Sequence, residues 1–410
     1  MNRSLRPLFK HIVACHPWLH RVGTLLLVVV FALAVPRARA GLLGGLLHSQ
    51  GDSGSGKVAQ LAFRLDDGFG ATTVVWSPDG RFLATTGVLT RTIHIWDVAQ
   101  RKLFKALELP NFPPGDPHDM AWSPDGRYLA VCNSYSAALR IYATKDWSVA
   151  RDFTREEALG CYKPVFSSDG QELTVWGEGL TTFATEDWHA IRQIHTVQTI
   201  QNYFPEWHRW LPKPILLFDM AYVPGTHTLV LGGSLYAKDT KMCQATPAPY
   251  DPLAGVLWVV RPGDTALSQG FQIYCRPVGA EVHQLAVYPD GKTLVTITGN
   301  TEIKANVTEA GNNTKIIRLA DGKDITPALT WQTNVPWVVA YTPDGRLLII
   351  GEAGRVHTDH AVYLVNAKTM QLLDAVHAPP DIYDLAVAPD NTGFAVATGG
   401  GVTVWRFVRH

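Results

Sequence analysis

VVWSPDGRFLATTG, residues 74–87, sets two short apolar runs on either side of a Ser-Pro-Asp-Gly turn, and MAWSPDGRYLAVCN repeats the arrangement from Met120. Proline presets φ early in such a turn and glycine accepts the positive φ that closes it, so each stretch reads as a β-hairpin. Variants recur as SSDG at 167, VPGT at 223, YPDG at 288, TPDG at 342 and APDN within VAPDN at 387–391. Counted from the second turn residue, the seven turns fall at 78, 124, 168, 224, 289, 343 and 389, at intervals of 46, 44, 56, 65, 54 and 46. Repetition at that period is the mark of a β-propeller, in which each unit is one blade.

Each unit carries a third strand-like run after its hairpin, such as TIHIWDV, ALRIYAT, GLTTFAT, VLWVVRP, KIIRLAD, AVYLVNA and GVTVWRF, and a weaker fourth, such as KLFKALEL or MQLLDAVHA. The seventh unit stops after its third run, while an unassigned strand, KVAQLAFRLDD at 57–67, precedes the first. Pairing the two completes one blade and leaves no open sheet edge. The sequence therefore predicts an all-β chain: a single seven-bladed propeller over 57–410, with four-stranded antiparallel blades closed by the N-terminal strand. Through TIHIWDVAQRKL at 92–103 and the WSPDGRYLA-type hairpins, the chain resembles the WD40-repeat family and the related bacterial WSPDG-type repeats. The family's Gly-His pair is absent, and Trp-Asp occurs in a third strand only at Trp96-Asp97. The resemblance implies the fold and a habit of binding other proteins.

Composition narrows the partners. Basic and acidic residues number 36 each, without a long basic run, so nucleic acid is not expected. The first forty residues differ in kind: Arg3, Arg6, Lys10 and Arg21 precede the apolar run TLLLVVVFALAV at 24–35, then Ala38-Arg39-Ala40. This order predicts a signal peptide over 1–40 cleaved after Ala40, with an uncleaved anchor as the other reading. Residues 41–56 then form a flexible tether, and the protein is expected in the periplasm or secreted, as a monomer. Without Cys15, four cysteines remain in a compartment that permits disulfides. Cys243 and Cys275 are the expected pair, and Cys132, ending an apolar strand, reads equally as a buried thiol.

The turn repeat also locates a face. The innermost strand of a blade runs toward its Ser-Pro-Asp-Gly turn, so the residues that precede it lie at the opposite mouth of the channel. Six residues before the second turn position stand Thr72, His118, Tyr162, Phe218, His283, Trp337 and Tyr383; one step on stand Thr73, Asp119, Lys163, Asp219, Gln284, Val338 and Asp384. The rings either pack between blades or form a platform for a ligand or peptide. Long insertions emerge at the same mouth; one, NYFPEWHRW, holds Tyr203, Phe204, Trp207 and Trp210. The nucleophile elbow, the zinc helix motif and the phosphate loop are all missing from the sequence, so no catalytic residue is assigned. The preferred reading is an exported scaffold that binds a protein or peptide of the cell envelope, without a cofactor. Its rival is a propeller enzyme, of calcium-dependent lactonase or quinoprotein dehydrogenase type, with Asp119, Asp219 and Asp384 holding calcium or the cofactor.

Overall fold

The computed structural model describes residues 58–65, 70–87, 92–108, 117–133, 138–177, 179–195, 216–236, 253–267, 269–276, 282–298, 313–331, 336–352, 360–379 and 381–408. The expected signal, tether, aromatic insertion at 203–210 and Cys243 lie outside them, and Cys275 and His118 are described in backbone alone.

Strand β1 (Ala59–Leu65) comes first and belongs to the last blade. Blade one holds β2 (Thr73–Trp76), β3 (Phe82–Thr86), β4 (Thr92–Asp97) and β5 (Lys102–Glu108). Blade two holds β6 (Pro117–Trp122), β7 (Tyr128–Asn133), β8 (Ala138–Ala143) and β9 (Ser148–Phe153), followed by the one-turn helix α1 (Arg155–Ala158). Blades three and four are β10 (Lys163–Phe166), β11 (Glu172–Trp176), β12 (Gly179–Ala184), β13 (Ala190–His195), and β14 (Leu216–Tyr222), β15 (Leu229–Tyr236), β16 (Leu253–Val260), β17 (Gln269–Arg276). Blade five has β18 (Gln284–Val287), β19 (Thr293–Ile297) and β20 (Thr314–Arg318). Blade six is β21 (Pro336–Tyr341), β22 (Leu347–Glu352), β23 (Ala361–Asn366) and β24 (Leu372–His377). Blade seven runs β25 (Ile382–Val387), β26 (Gly393–Thr398), β27 (Gly401–Phe407) and then β1, all neighbours antiparallel.

Seven blades and closure by the N-terminal strand are as the sequence predicts. Blade five departs from four strands among the described residues: its outer layer shrinks to the Ile317–Asp324 bridge. Middle strands are apolar on both faces because each lies between two neighbouring sheets; β7 and β11 are almost wholly buried. Burial fades outward, and β9 faces solvent at every residue but Phe153.

Each turn is a small machine of its own. Ser77 Oγ donates to Asp79 Oδ1 at 2.5 Å and accepts from Phe82 N at 2.8 Å, while Gly80, at φ 71°, donates to the Ser77 carbonyl. The geometry recurs at Ser123, Ser167 and Thr342. Neighbouring turns also touch: a Cβ built on Gly170 would stand 3.4 Å from Pro124, and one on Gly80 3.7 Å from Pro389. Tyr288 of blade five donates to the Gly345 carbonyl of blade six, and Asn391 of blade seven accepts from Asp344 N. The turns thus interlock the bottom of the ring.

A second ring of contacts lies farther out. In blades one to four and six the hairpin between third and fourth strands, and in blade five the turn after the third strand, has one left-handed residue: Arg101, Trp147, Trp188, Gly263, Gly322 and Met370. Most meet the preceding blade. Trp147 packs edge-on to Phe82, Trp188 edge-on to Tyr128, and Arg101 lies over Phe63 of β1. Trp331, trailing blade five, donates to the Met370 carbonyl. Cys132 of β7 forms a disulfide with Cys161, which precedes β10, and so ties blade two to blade three. The expectation of a buried thiol at Cys132 is thereby corrected: its Cα stands 5.1 Å from that of Cys161, within bridging range.

Candidate functional site

The channel mouth opposite the turns is built from the starts of the innermost strands. In blades two, four, six and seven the register slips by one residue there, between Pro117 and Asp119, Leu217 and Asp219, Pro336 and Val338, and Ile382 and Asp384. The bulged residues are His118, Phe218, Trp337 and Tyr383, four members of the aromatic ring read from the sequence. A bulge re-aims its side chain, which is how a ring can leave the sheet for the rim. In blades one, three and five the equivalent residues cap the strand instead, with Thr72 N, Tyr162 N and His283 N donating to carbonyls of the second strand.

The structure brings three of these rings together. Phe218 and His283 have centroids 6.1 Å apart and His283 and Trp337 4.1 Å apart, so one arc crosses blades four, five and six. All three are half-buried. Tyr162 packs instead on Trp176 of its own blade, at 4.9 Å. Ring contacts therefore run within a blade at Tyr162 and between blades along the arc from Phe218 to Trp337.

The residues one step inward are brackets between blades. Asp219 accepts from Met220 N and, at 2.8 Å, from Leu285 N of the next blade. Asp384 accepts from Leu385 N and, across the closure, from Val74 N at 2.9 Å. Gln284 accepts from Val339 N at 2.6 Å. Asp119 has no such donor ahead, because Pro164 occupies the position and lacks an N–H. Lys163 takes over, with Nζ 2.7 Å from Asp219 and 3.7 Å from Asp119, and joins blades two, three and four. Lys163 and Gln284 stand in the ring that the turn offset picks out, and the sequence signal for the change of bracket at Asp119 is Pro164 inside an inner strand.

Charge is crowded here. Burial, reinforced by the carboxylate of Asp119, pushes Asp384 up to about 7, against the Val74 N–H and Lys163. Burial likewise raises Asp119, opposed by Lys163. The ammonium of Lys163 is held protonated by Asp219 and Asp119 despite burial. Of the carboxylates, Asp219 has both oxygens committed to backbone donors and Lys163. Among the described residues no group of three or more His, Cys, Asp or Glu side chains is placed to hold a metal ion. Among them, too, no helix is long and apolar enough to cross a membrane.

The arrangement can therefore present flat, partly exposed rings above a stiff, charged collar. The strands flanking 109–116, 196–215, 237–252, 299–312 and 353–359 all end at this mouth.

Comparison with known proteins agrees on the fold. The WD domain, G-beta repeat family matches residues 66–97 and 114–142, in blades one and two. Hydrazine synthase of Kuenenia stuttgartiensis, a solved structure, is similar over 89% of this chain and 99% of its own, with TM-score 0.62 and 16% identity, a likeness of fold. No curated protein sequence matches. A shared propeller assigns no ligand. The seven blades and their turns make the chain a seven-bladed β-propeller, with WD40-type repeats matched in blades one and two.

Proposed function

We propose that this is an exported interaction scaffold that binds a protein segment of the cell envelope at the channel mouth. The observation that carries the reading is the half-buried arc Phe218–His283–Trp337, set on one face of a rigid ring where the long insertions also emerge. Aromatic rings held stiffly give contact area at low entropic cost, and loops on a fixed scaffold are where recognition concentrates. Export is supported by the N-terminal sequence and by the Cys132–Cys161 disulfide, which suits an oxidising compartment. The enzyme reading, with calcium or a cofactor on Asp119, Asp219 and Asp384, draws less support, because Asp219 and Asp384 already serve as brackets between blades.

The test is site-specific photo-crosslinking in envelope extract. A crosslinker at Trp337 should capture a discrete protein, and Phe218→Ala with His283→Ala should abolish the capture without changing the melting temperature by more than a few degrees. A crosslinker on the turn ring, at Asp79, should capture nothing. Equal capture from both faces would overturn the proposal. A rise in melting temperature with calcium, lost in Asp219→Ala, would favour the enzyme reading instead.

A further inference from the structure

The large apolar side chains most exposed among the described residues are Leu103 at 46%, Phe104 at 49%, Val149 at 46% and Ile191 at 47%. All four lie on outermost strands, β5, β9 and β13, of three consecutive blades. Such clustering on one sector of the circumference is unlike the scattered apolar exposure of an ordinary surface. It is distinct from the channel mouth, and the aromatic arc plays no part in it.

Blade one sets its exposed apolar pair among cations. Along the chain Arg101, Lys102, Leu103, Phe104 and Lys105 set cations beside exposed apolar groups. Arg81 joins them from the turn, its guanidinium 4.6 Å from the Phe82 ring centre and 5.9 Å from that of Phe104. Asp97, buried, pairs with Arg81 at 3.6 Å, and the acid on β5 itself, Glu108, stands at the far end of the strand. Trp147 closes the patch from blade two, with its ring 6.2 Å from Phe82 and 6.4 Å from Phe104. Lysine on an edge strand guards against strand pairing, which accounts for Lys102 and Lys105. It does not account for Leu103 and Phe104 turned outward between them.

We propose that this rim rests on an anionic lipid surface, at headgroup depth. Lys and Arg beside Trp, Phe and Leu are the groups that settle at a bilayer interface. An open strand edge excludes deeper entry, since β5 presents unpaired backbone groups that hydrocarbon cannot satisfy. The chain enters the propeller at β1, the outer strand of the adjoining blade seven, and Arg101 lies over Phe63 of that strand at 5.0 Å.

Hydrogen exchange of the full chain reads the rim directly. Vesicles of phosphatidylcholine mixed with phosphatidylglycerol should slow the amides of 102–107, and pure phosphatidylcholine should leave them unchanged. Each cation near such a surface changes partition by about fivefold, so Lys102→Glu with Lys105→Glu should return these amides to the lipid-free rate. Lys102→Gln with Lys105→Gln should fall between. The wild-type comparison decides the matter even if a variant folds poorly. Equal exchange with both vesicle types overturns the proposal. So does slowing that needs no lipid and grows with protein concentration, which would assign the rim to a second copy of the chain.

Discussion

Asp384 makes a hydrogen bond between the last blade and the first, in surroundings that resist its charge. With its pKa raised from 3.8 to about 7, the folded protein holds a proton that the unfolded chain has already lost between those values. Its contribution to stability is therefore full below about pH 4 and is lost as pH rises through 7. Asp119 adds to the same trend, since it too is raised. We expect the stability difference between pH 5 and pH 8 to shrink by about 1–2 kcal/mol in Asp384→Asn, as measured by urea unfolding at each pH. Lys163 gives a sharper test. Lys163→Met strands the carboxylate of Asp219, only 3% exposed, and should destabilise by about 3 kcal/mol, with Lys163→Arg recovering much of it. That Asp119, Asp219 and Asp384 share a collar was legible in their common offset from the turn. Their bond partners were not, because a backbone N–H in the neighbouring blade leaves no mark in sequence except where Pro164 removes it.

Among the elements, the hairpin after the third strand is the least expected device. TKDW at 144–147 and TEDW at 185–188 are a second internal repeat, and in each the left-handed tryptophan reaches the aromatic residue that follows the preceding blade's turn. A side chain here must be worth the strain of positive φ. Trp188→Ala should cost about 2–3 kcal/mol and Trp188→Gly about 1 kcal/mol less, although both remove the ring, because glycine relaxes the backbone. Thermal unfolding of the two variants side by side checks the order. The disulfide is an independent clamp on blades two and three. Its 29-residue separation implies that reduction, or Cys132→Ala with Cys161→Ala, lowers stability by about 3 kcal/mol. Turn spacing made the blades legible, since Pro-Asp-Gly chemistry is local. Cysteine pairing and the bulges at Phe218 and Trp337 depend on contacts between strands, and so does the reduced outer layer of blade five. None of these is a property of a short window.

For the whole molecule the decisive joint is between β1 and β27. Each blade contacts two others, so a ring distributes strain only when closed, and closure rests on one strand of seven residues. The joint is locked from the side as well: Asp374 of blade six accepts from Val58 N at 2.8 Å and from Ala59 N at 3.4 Å, and Val408 N donates to the Val58 carbonyl. Buried Ala59 and Leu65 anchor the strand at both ends. Removing residues up to 65 would uncover the edge of β27, including the buried Trp405, and leave a sheet edge open to pairing with another chain. The truncated chain should lose its single cooperative transition and form oligomers by size-exclusion chromatography. A synthetic peptide of residues 58–65 added in excess should restore the monomer, because the missing strand need not be covalently joined. Asp374→Ala should act as a milder version, lowering the melting temperature by a few degrees while the chain stays monomeric. If the truncated chain instead unfolds cooperatively as a monomer, the ring is held by the turn and hairpin contacts between blades, and closure by β1 is secondary to them.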